Sequence, residues 1–227
     1  MERHHYGEEL AALKNRLLRM GGIVEQRVSQ AVLALMERRA ELADAVIEGD
    51  REVNDLQIEI DDRCLKLLAL QQPMASDLRL ITAAMKINAD LERIGDQAVN
   101  IAENANQLLG HPPLKPLLDL PRMAEIAQQM TRDSLDAFVQ RDSALARKVL
   151  QRDDEVDQLK DQNFRVLLTY MMADPGTIER ALALILVARN LERIADHATN
   201  IAEDVIFVVE AKDVRHHHEE SMTRNKG

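Results

Sequence analysis

Glu92, Asp96, Asn100 and Glu103 recur one hundred positions later as Glu192, Asp196, Asn200 and Glu203. They lie in two copies of one segment, LERIGDQAVNIAE at 91–103 and LERIADHATNIAE at 191–203, identical at ten of thirteen positions. Carboxylate and amide oxygens are hard donors, suited to multivalent cations. Packing alone would keep the apolar pattern of such a segment and let its polar letters drift. The repeat therefore points to one copy of a carboxylate site in each half of the chain.

On a helix advancing about 100° per residue, Glu92, Asp96, Asn100 and Glu103 fall within a stripe about 80° wide. Leu91, Ile94, Ala98 and Ile101 lie nearly opposite, and the second copy behaves the same way. The spacing predicts an acidic stripe facing away from the core of each half. Glu and Asp four residues apart repel by about 0.2–0.5 kcal/mol in an isolated helix, so a cation is needed nearby. A bound metal meets that need; so does a basic side chain or a well-solvated surface. Arg93 and Arg193 flank the stripes, where they suit surface ion pairs or the docking of a partner. His197, in place of Gln97, falls between stripe and core, as a boundary histidine or a third ligand. Histidines at 4, 5 and 216–218 fall in end segments expected to fray, and Met74, Met85, Met171 and Met172 read as core filler.

The elements that must position these residues are helices. Of 227 residues, 46% are apolar but only 2% aromatic, with no Trp, so the core is aliphatic and strands are disfavoured. Apolar residues recur at three- and four-residue spacing over about 8–38, 41–70, 76–109, 122–140, 142–173 and 177–212. Ser76 and Asp77 are placed to cap the third of these. Four prolines between 112 and 121 interrupt the pattern, and Asp174-Pro175-Gly176 breaks it again. Asp50, Val53 and Leu56 align with Asp153, Val156 and Leu159 at an offset of 103, so the repeat extends over the whole fold. We read an all-α chain of two tandem three-helix bundles, at 1–110 and 122–212, with a Pro-rich linker at 111–121 and a flexible tail at 213–227.

The formal charge of −10 argues against nucleic acid as a partner. One cysteine, Cys64, excludes an internal disulfide and fits a reducing compartment. The first residues carry no apolar stretch of the kind a secretory signal has, and the longest apolar run, at 181–188, is too short to span a membrane. The expectation is a soluble cytoplasmic protein. A di-iron carboxylate enzyme would need Glu-x-x-His pairs facing a bundle interior, but Gly95 and Ala195 hold the histidine positions. No P-loop or Gly-x-Ser-x-Gly elbow is present either.

Gln72-Pro73, Ser76-Asp77-Leu78-Arg79 and Asp90-Leu91-Glu92-Arg93-Ile94-Gly95-Asp96 resemble the signature of the PhoU family of phosphate-uptake regulators, and 190–203 resembles its C-terminal repeat. The resemblance spans nearly the whole chain. It implies a non-catalytic, cytoplasmic negative regulator of the phosphate-starvation regulon. Such a regulator would link the ATPase subunit of the phosphate ABC transporter to a sensor histidine kinase, and would reach the membrane only through its partners. It further implies iron or zinc, with Mg, Mn or Ni as other candidates, on E/D-x-x-x-D motifs. Here those are Glu92 with Asp96 and Glu192 with Asp196, with Asn100, Glu103, Asn200 and Glu203 along the same stripes. Asp157 and Asp161 form a further such pair, whose first-half counterparts are Asn54 and Ile58, so the two sites are related rather than identical. A homodimer is expected, both from the long helices and from the family. The competing expectation is a metal-independent helical scaffold.

Overall fold

The computed structural model describes residues 2–71, 73–114 and 119–214. Six helices account for nearly all of them: α1 (Glu2–Glu37), α2 (Ala40–Gln71), α3 (Ala75–Leu109), α4 (Leu120–Gln140), α5 (Ser143–Ala173) and α6 (Ile178–Glu210). There is no strand among the described residues. α1, α2 and α3 pack on one another as one bundle, and α4, α5 and α6 as a second. The cores are aliphatic: Met20, Val24, Val53, Ile60, Ile87 and Ile94 are buried in the first, and Met123, Val149, Val156, Val187 and Ile194 in the second.

Local chemistry sets the ends of the helices. Asp142 caps α5, its carboxylate accepting from the amides of Ala144 and Leu145 at 2.9 and 3.0 Å. Arg38, Arg141 and Ala211 take positive φ where α1, α4 and α6 end. α4 begins at Leu120 rather than near 122, because Pro121 sits in its first turn, where a missing amide costs nothing. α3 begins at Ala75, so Ser76 and Asp77 lie inside its first turn instead of capping it; the cap is Met74, whose backbone carbonyl accepts from Asp77 and Leu78. The Asp174 break is a 3-10 turn, Pro175–Thr177, with the Asp174 carboxylate held by the Gly176 amide. α6 stops at Glu210, short of the expected 212.

α1 runs back to Glu2, so that His4 and His5 fall within its first turn. Tyr6 packs against the core, half-buried. Met85 and Met171 pack against the core as expected, but Met74 and Met172 are exposed at the α2–α3 and α5–α6 turns, beyond the reach of the bundle interiors. Histidines 216–218 and all but the first two residues of the tail lie outside the described residues.

The two bundles join through their third helices. α3 runs antiparallel to α6: Lys86 Nζ meets Asp204 Oδ1 at 2.9 Å, Asn200 Nδ2 donates to Asp90 Oδ1 at 3.3 Å, and Gln107 donates to Glu179 at 3.5 Å. α1 and α4 make a second, smaller seam, where Arg132 pairs with Glu25 and buried Gly21 faces Leu135. Both copies of the acidic motif are thereby held near the middle of one molecule.

Candidate functional site

Each motif lines a groove between the second and third helices of its bundle. In the first groove α3 supplies Glu92, half-buried, and Asp96, exposed, and α2 supplies Asp50. Partial desolvation raises the pKa of Glu92, and the charges of Asp96 and Asp50 raise it further, while Arg93 and His197 oppose the shift. Asp96 is raised in the same way, by desolvation and then by Asp50. The Asn54 amide donates to Asp50 Oδ2 at 2.8 Å, a bond that brings no charge to the cluster.

The second groove is richer. α6 supplies Glu192 and Asp196; α5 supplies Asp153, Asp157 and Lys160. Partial burial, with the charges of Asp196, Asp157, Asp154 and Glu192, pushes Asp153 up to about 6. Asp196 is also raised, first by desolvation and then by Glu192 and Asp157. Lys160 Nζ lies 2.8 Å from Asp157 Oδ1 and 2.9 Å from Glu192 Oε1. Burial works against its ammonium, but those two hydrogen bonds outweigh it and hold its pKa above the ordinary lysine range. The fold tolerates this crowding because each buried Leu, Ile or Val contributes about 1.5–3 kcal/mol, several times the repulsion of one acid pair.

The eight motif residues do not form two compact sets. Glu103 lies eleven residues beyond Glu92, about 16 Å along the helix axis, too far to share an ion with it. Asn100 and Glu103 on α3, and half-buried Glu203 on α6, therefore sit along the stripes but away from the acid pairs. Asn200 turns toward the other bundle and donates to Asp90 of α3. Asp161 is exposed and lines an apolar hollow with Phe164, Ile185, Ala188 and Arg189, at the end of the groove beyond Lys160 and Glu192. Among the described residues, no three His, Cys, Asp or Glu side chains converge as they stand to ligate one ion.

His197 closes the space between the halves. Its Nδ1 donates to Asp90 Oδ1 at 2.9 Å, with the two side chains only 12% and 11% exposed. When protonated, its charge opposes the upward shifts of Glu92 and Asp96 in one groove and of Asp196 in the other. The boundary position expected for it is thus a polar contact across the bundle seam. Asp50, Asp153 and Lys160 are the groove residues that the motif spacing alone did not single out. Asp50 and Asp153 were nonetheless visible as aligned acids of the repeat at offset 103.

Fold and grooves together define a tandem helical-repeat protein with one acidic groove per repeat. The sequence matches the PhoU domain family twice, over residues 17–105 and 120–205, and the chain belongs to that family. It is 45% identical over 211 residues to a phosphate-specific transport system accessory protein PhoU homolog of Aquifex aeolicus, covering 93% of this chain and 96% of that one. The Caulobacter vibrioides homolog is 46% identical over 210 residues, 92% of this chain and 91% of its own. Among solved structures, PhoU from Pseudomonas aeruginosa superposes with a TM-score of 0.88 at 42% identity, covering 91% of this chain and all of that one. The phosphate transport system regulatory protein PhoU from Streptococcus pneumoniae gives 0.85 at 30% identity, over 92% and 99% of the two chains.

Proposed function

We propose that the chain is an accessory regulator of phosphate transport that acts without catalysis. It restrains the phosphate-starvation response when phosphate is plentiful. It does so in the cytoplasm, as a homodimer, by coupling the ATPase subunit of the phosphate ABC transporter to a sensor histidine kinase. The observation that carries this reading is near-full-length membership of a family whose relatives are named as accessory proteins of phosphate-specific transport. No described helix is long and apolar enough to cross a membrane, which suits a protein that reaches one through its partners.

The metal part of the reading rests on the grooves. Asp50, Glu92 and Asp96 offer oxygen ligands in the first, and Asp153, Asp157, Glu192 and Asp196 in the second. Crowding that makes Glu92, Asp96, Asp153 and Asp196 harder to ionise is what a hard cation relieves. A bound iron or zinc would supply charge neutralisation and would tie α2 to α3 and α5 to α6.

Deletion of the gene tests the regulatory role: a phosphate-starvation reporter should rise in phosphate-rich medium and fall again on complementation. A reporter that stays repressed sinks it. For the metal, protein purified without chelator should contain it, and Glu92→Ala/Asp96→Ala should lose it. The second reading is a metal-independent scaffold, favoured by the lack of three converging ligands among the described residues and by the lysine already paired in the second groove. Metal-free wild-type protein with full regulatory activity would select it.

A further inference from the structure

The apolar hollow at the end of the second groove opens onto a larger surface. On α5, Phe164, Leu168 and Met172 recur at four-residue spacing and are 48%, 41% and 79% exposed. On α6, Ile178, Leu182 and Leu186 do the same at 43%, 49% and 47%. The two helices are joined by the Asp174 turn and meet again at Lys160 and Glu192, 2.9 Å apart, so the stripes run side by side. Phe164 and Ile185 line the hollow itself, about 300 Å³ in volume. Together the six side chains leave about 500 Å² of apolar surface in water, the size of patch that marks a binding surface.

The fold does not require this surface, because the first half is built without it. The counterparts are Asp61, Leu65 and Ala69 at an offset of 103, and Leu78, Thr82 and Lys86 at an offset of 100. Only two of those six are large and apolar. Two others serve the fold: Asp61 accepts from the buried Asn88 amide at 2.9 Å, and Lys86 pairs with Asp204 across the seam. The second half keeps apolar side chains exposed where polar ones fold equally well, which is favourable only if something covers them.

Charge and area say what that is. Where the stripes run into the groove, Asp153, Asp157, Asp161, Glu192 and Asp196 outnumber Lys160 and Arg189. Crowding there already raises the pKa of Asp153 and Asp196, so an incoming ammonium or guanidinium removes repulsion. The patch is smaller than the roughly 800 Å² per partner that a stable dimer buries, and it is long and narrow. We propose that the α5–α6 stripes receive an amphipathic helix of a partner protein, its apolar side chains laid along Phe164, Leu168, Leu182 and Leu186 and its Lys or Arg residues in the turn that reaches the acids. Only the second half docks such a helix, so the repeat has two folds alike and one binding face. The inference gives the adaptor reading a surface and rests on that reading for its biological role; no metal enters it.

The test uses the full chain, free of metal, and two fluorescein-labelled helical peptides about 18 residues long. Both carry leucines at three- and four-residue spacing; one ends in three lysines and the other in three glutamates. By fluorescence anisotropy at about 0.1 M salt, wild type should bind the lysine peptide at least about tenfold more tightly than the glutamate peptide. Phe164→Asp/Leu182→Thr, and separately Leu186→Lys, install first-half residues. Each should weaken the lysine peptide about tenfold with unchanged far-ultraviolet circular dichroism, whereas Leu33→Lys, at a similarly exposed leucine of α1, should not. In cells, Phe164→Asp/Leu182→Thr at wild-type abundance should derepress the phosphate-starvation reporter as gene deletion does. Deletion that derepresses beside a double variant that represses fully overturns the inference and leaves the regulatory reading standing, as does wild type binding neither peptide or both alike. Deletion without effect overturns the regulatory reading, while the peptide result still decides the surface. Loss of a dimer in the double variant puts a second copy on the patch, and capture by phosphatidylglycerol vesicles that the double variant loses puts a lipid surface there; either overturns the inference.

Discussion

Partial burial and the carboxylates of Asp196, Asp157, Asp154 and Glu192 raise Asp153 from 3.8 to about 6, and this has a consequence for stability. The folded state holds the Asp153 proton more tightly than the unfolded chain does, so between about pH 4 and pH 6 the folded form binds more protons. The contribution is therefore fully present below the unfolded pKa near 4 and is lost as the pH rises through 6. Asp153→Asn removes the charge that causes the loss. In metal-free protein at pH 7.5 its melting temperature should exceed that of wild type by about 2–4 °C, and the difference should close by about pH 4–5. A metal in the second groove inverts the ranking, since the carboxylate is then a ligand: at saturating Mn(II), wild type should gain more than Asp153→Asn. A melting difference that does not vary with pH would show that Asp153 is not crowded by its neighbours.

At the scale of the helices, α1 carries adjacent glycines that answer to different constraints. A Cβ on exposed Gly22 meets nothing within 4 Å, whereas one on buried Gly21 runs into Leu135 of α4. Gly22→Ala should therefore stabilise by about 0.5–1 kcal/mol, the ordinary helix-interior difference, as read by chemical denaturation. Gly21→Ala should lose that gain because Leu135 must shift in a packed seam; equal gains from both would show that the seam has slack. Asp142→Ala removes two capping bonds from α5 and should cost about 0.5–2 kcal/mol by the same measurement. Apolar spacing made these helices legible in the sequence, along with the 103- and 100-residue offsets of the repeat, because each helix buries one broad aliphatic face. The second buried face of α3 and α6 was not legible. It carries Ala83, Asp90 and Gln97, or Ala183, Asn190 and Asp204, spaced by seven or fourteen residues and small or polar, so it leaves no apolar signal. The acid pairs were visible for the opposite reason, since identical charged letters repeated at one spacing cannot come from packing alone. Asp157 on α5 was named too, and Asp50 and Asp153 were visible as aligned acids of the repeat, but that they face the α3 and α6 pairs was not legible, because a helical wheel describes one helix and the grooves are made by two.

That second face makes the whole molecule one cooperative unit, although its sequence reads as two. α3 and α6 each bury one face in their own bundle and another in the seam, so neither bundle can open without exposing surface of the other. Lys86 reaches nearly buried Asp204 across this seam, and His197 and Asn200 both reach Asp90. Removing one partner strands a carboxylate that is largely out of water, at a cost of about 1–3 kcal/mol. Calorimetry on the full chain should accordingly give a single transition, with calorimetric and van't Hoff enthalpies that agree. His197→Ala should move that transition down as a whole rather than split it. In a cycle with Asp90→Ala, the coupling between the two residues should come out at about 0.5–3 kcal/mol. The pair also lies between the grooves, so the same variant should weaken any effect that metal in the first groove has on the second bundle. Two resolved transitions, with His197→Ala shifting only the later or the earlier one, would mean that the bundles are independent units joined by a linker and that the seam does not connect the grooves.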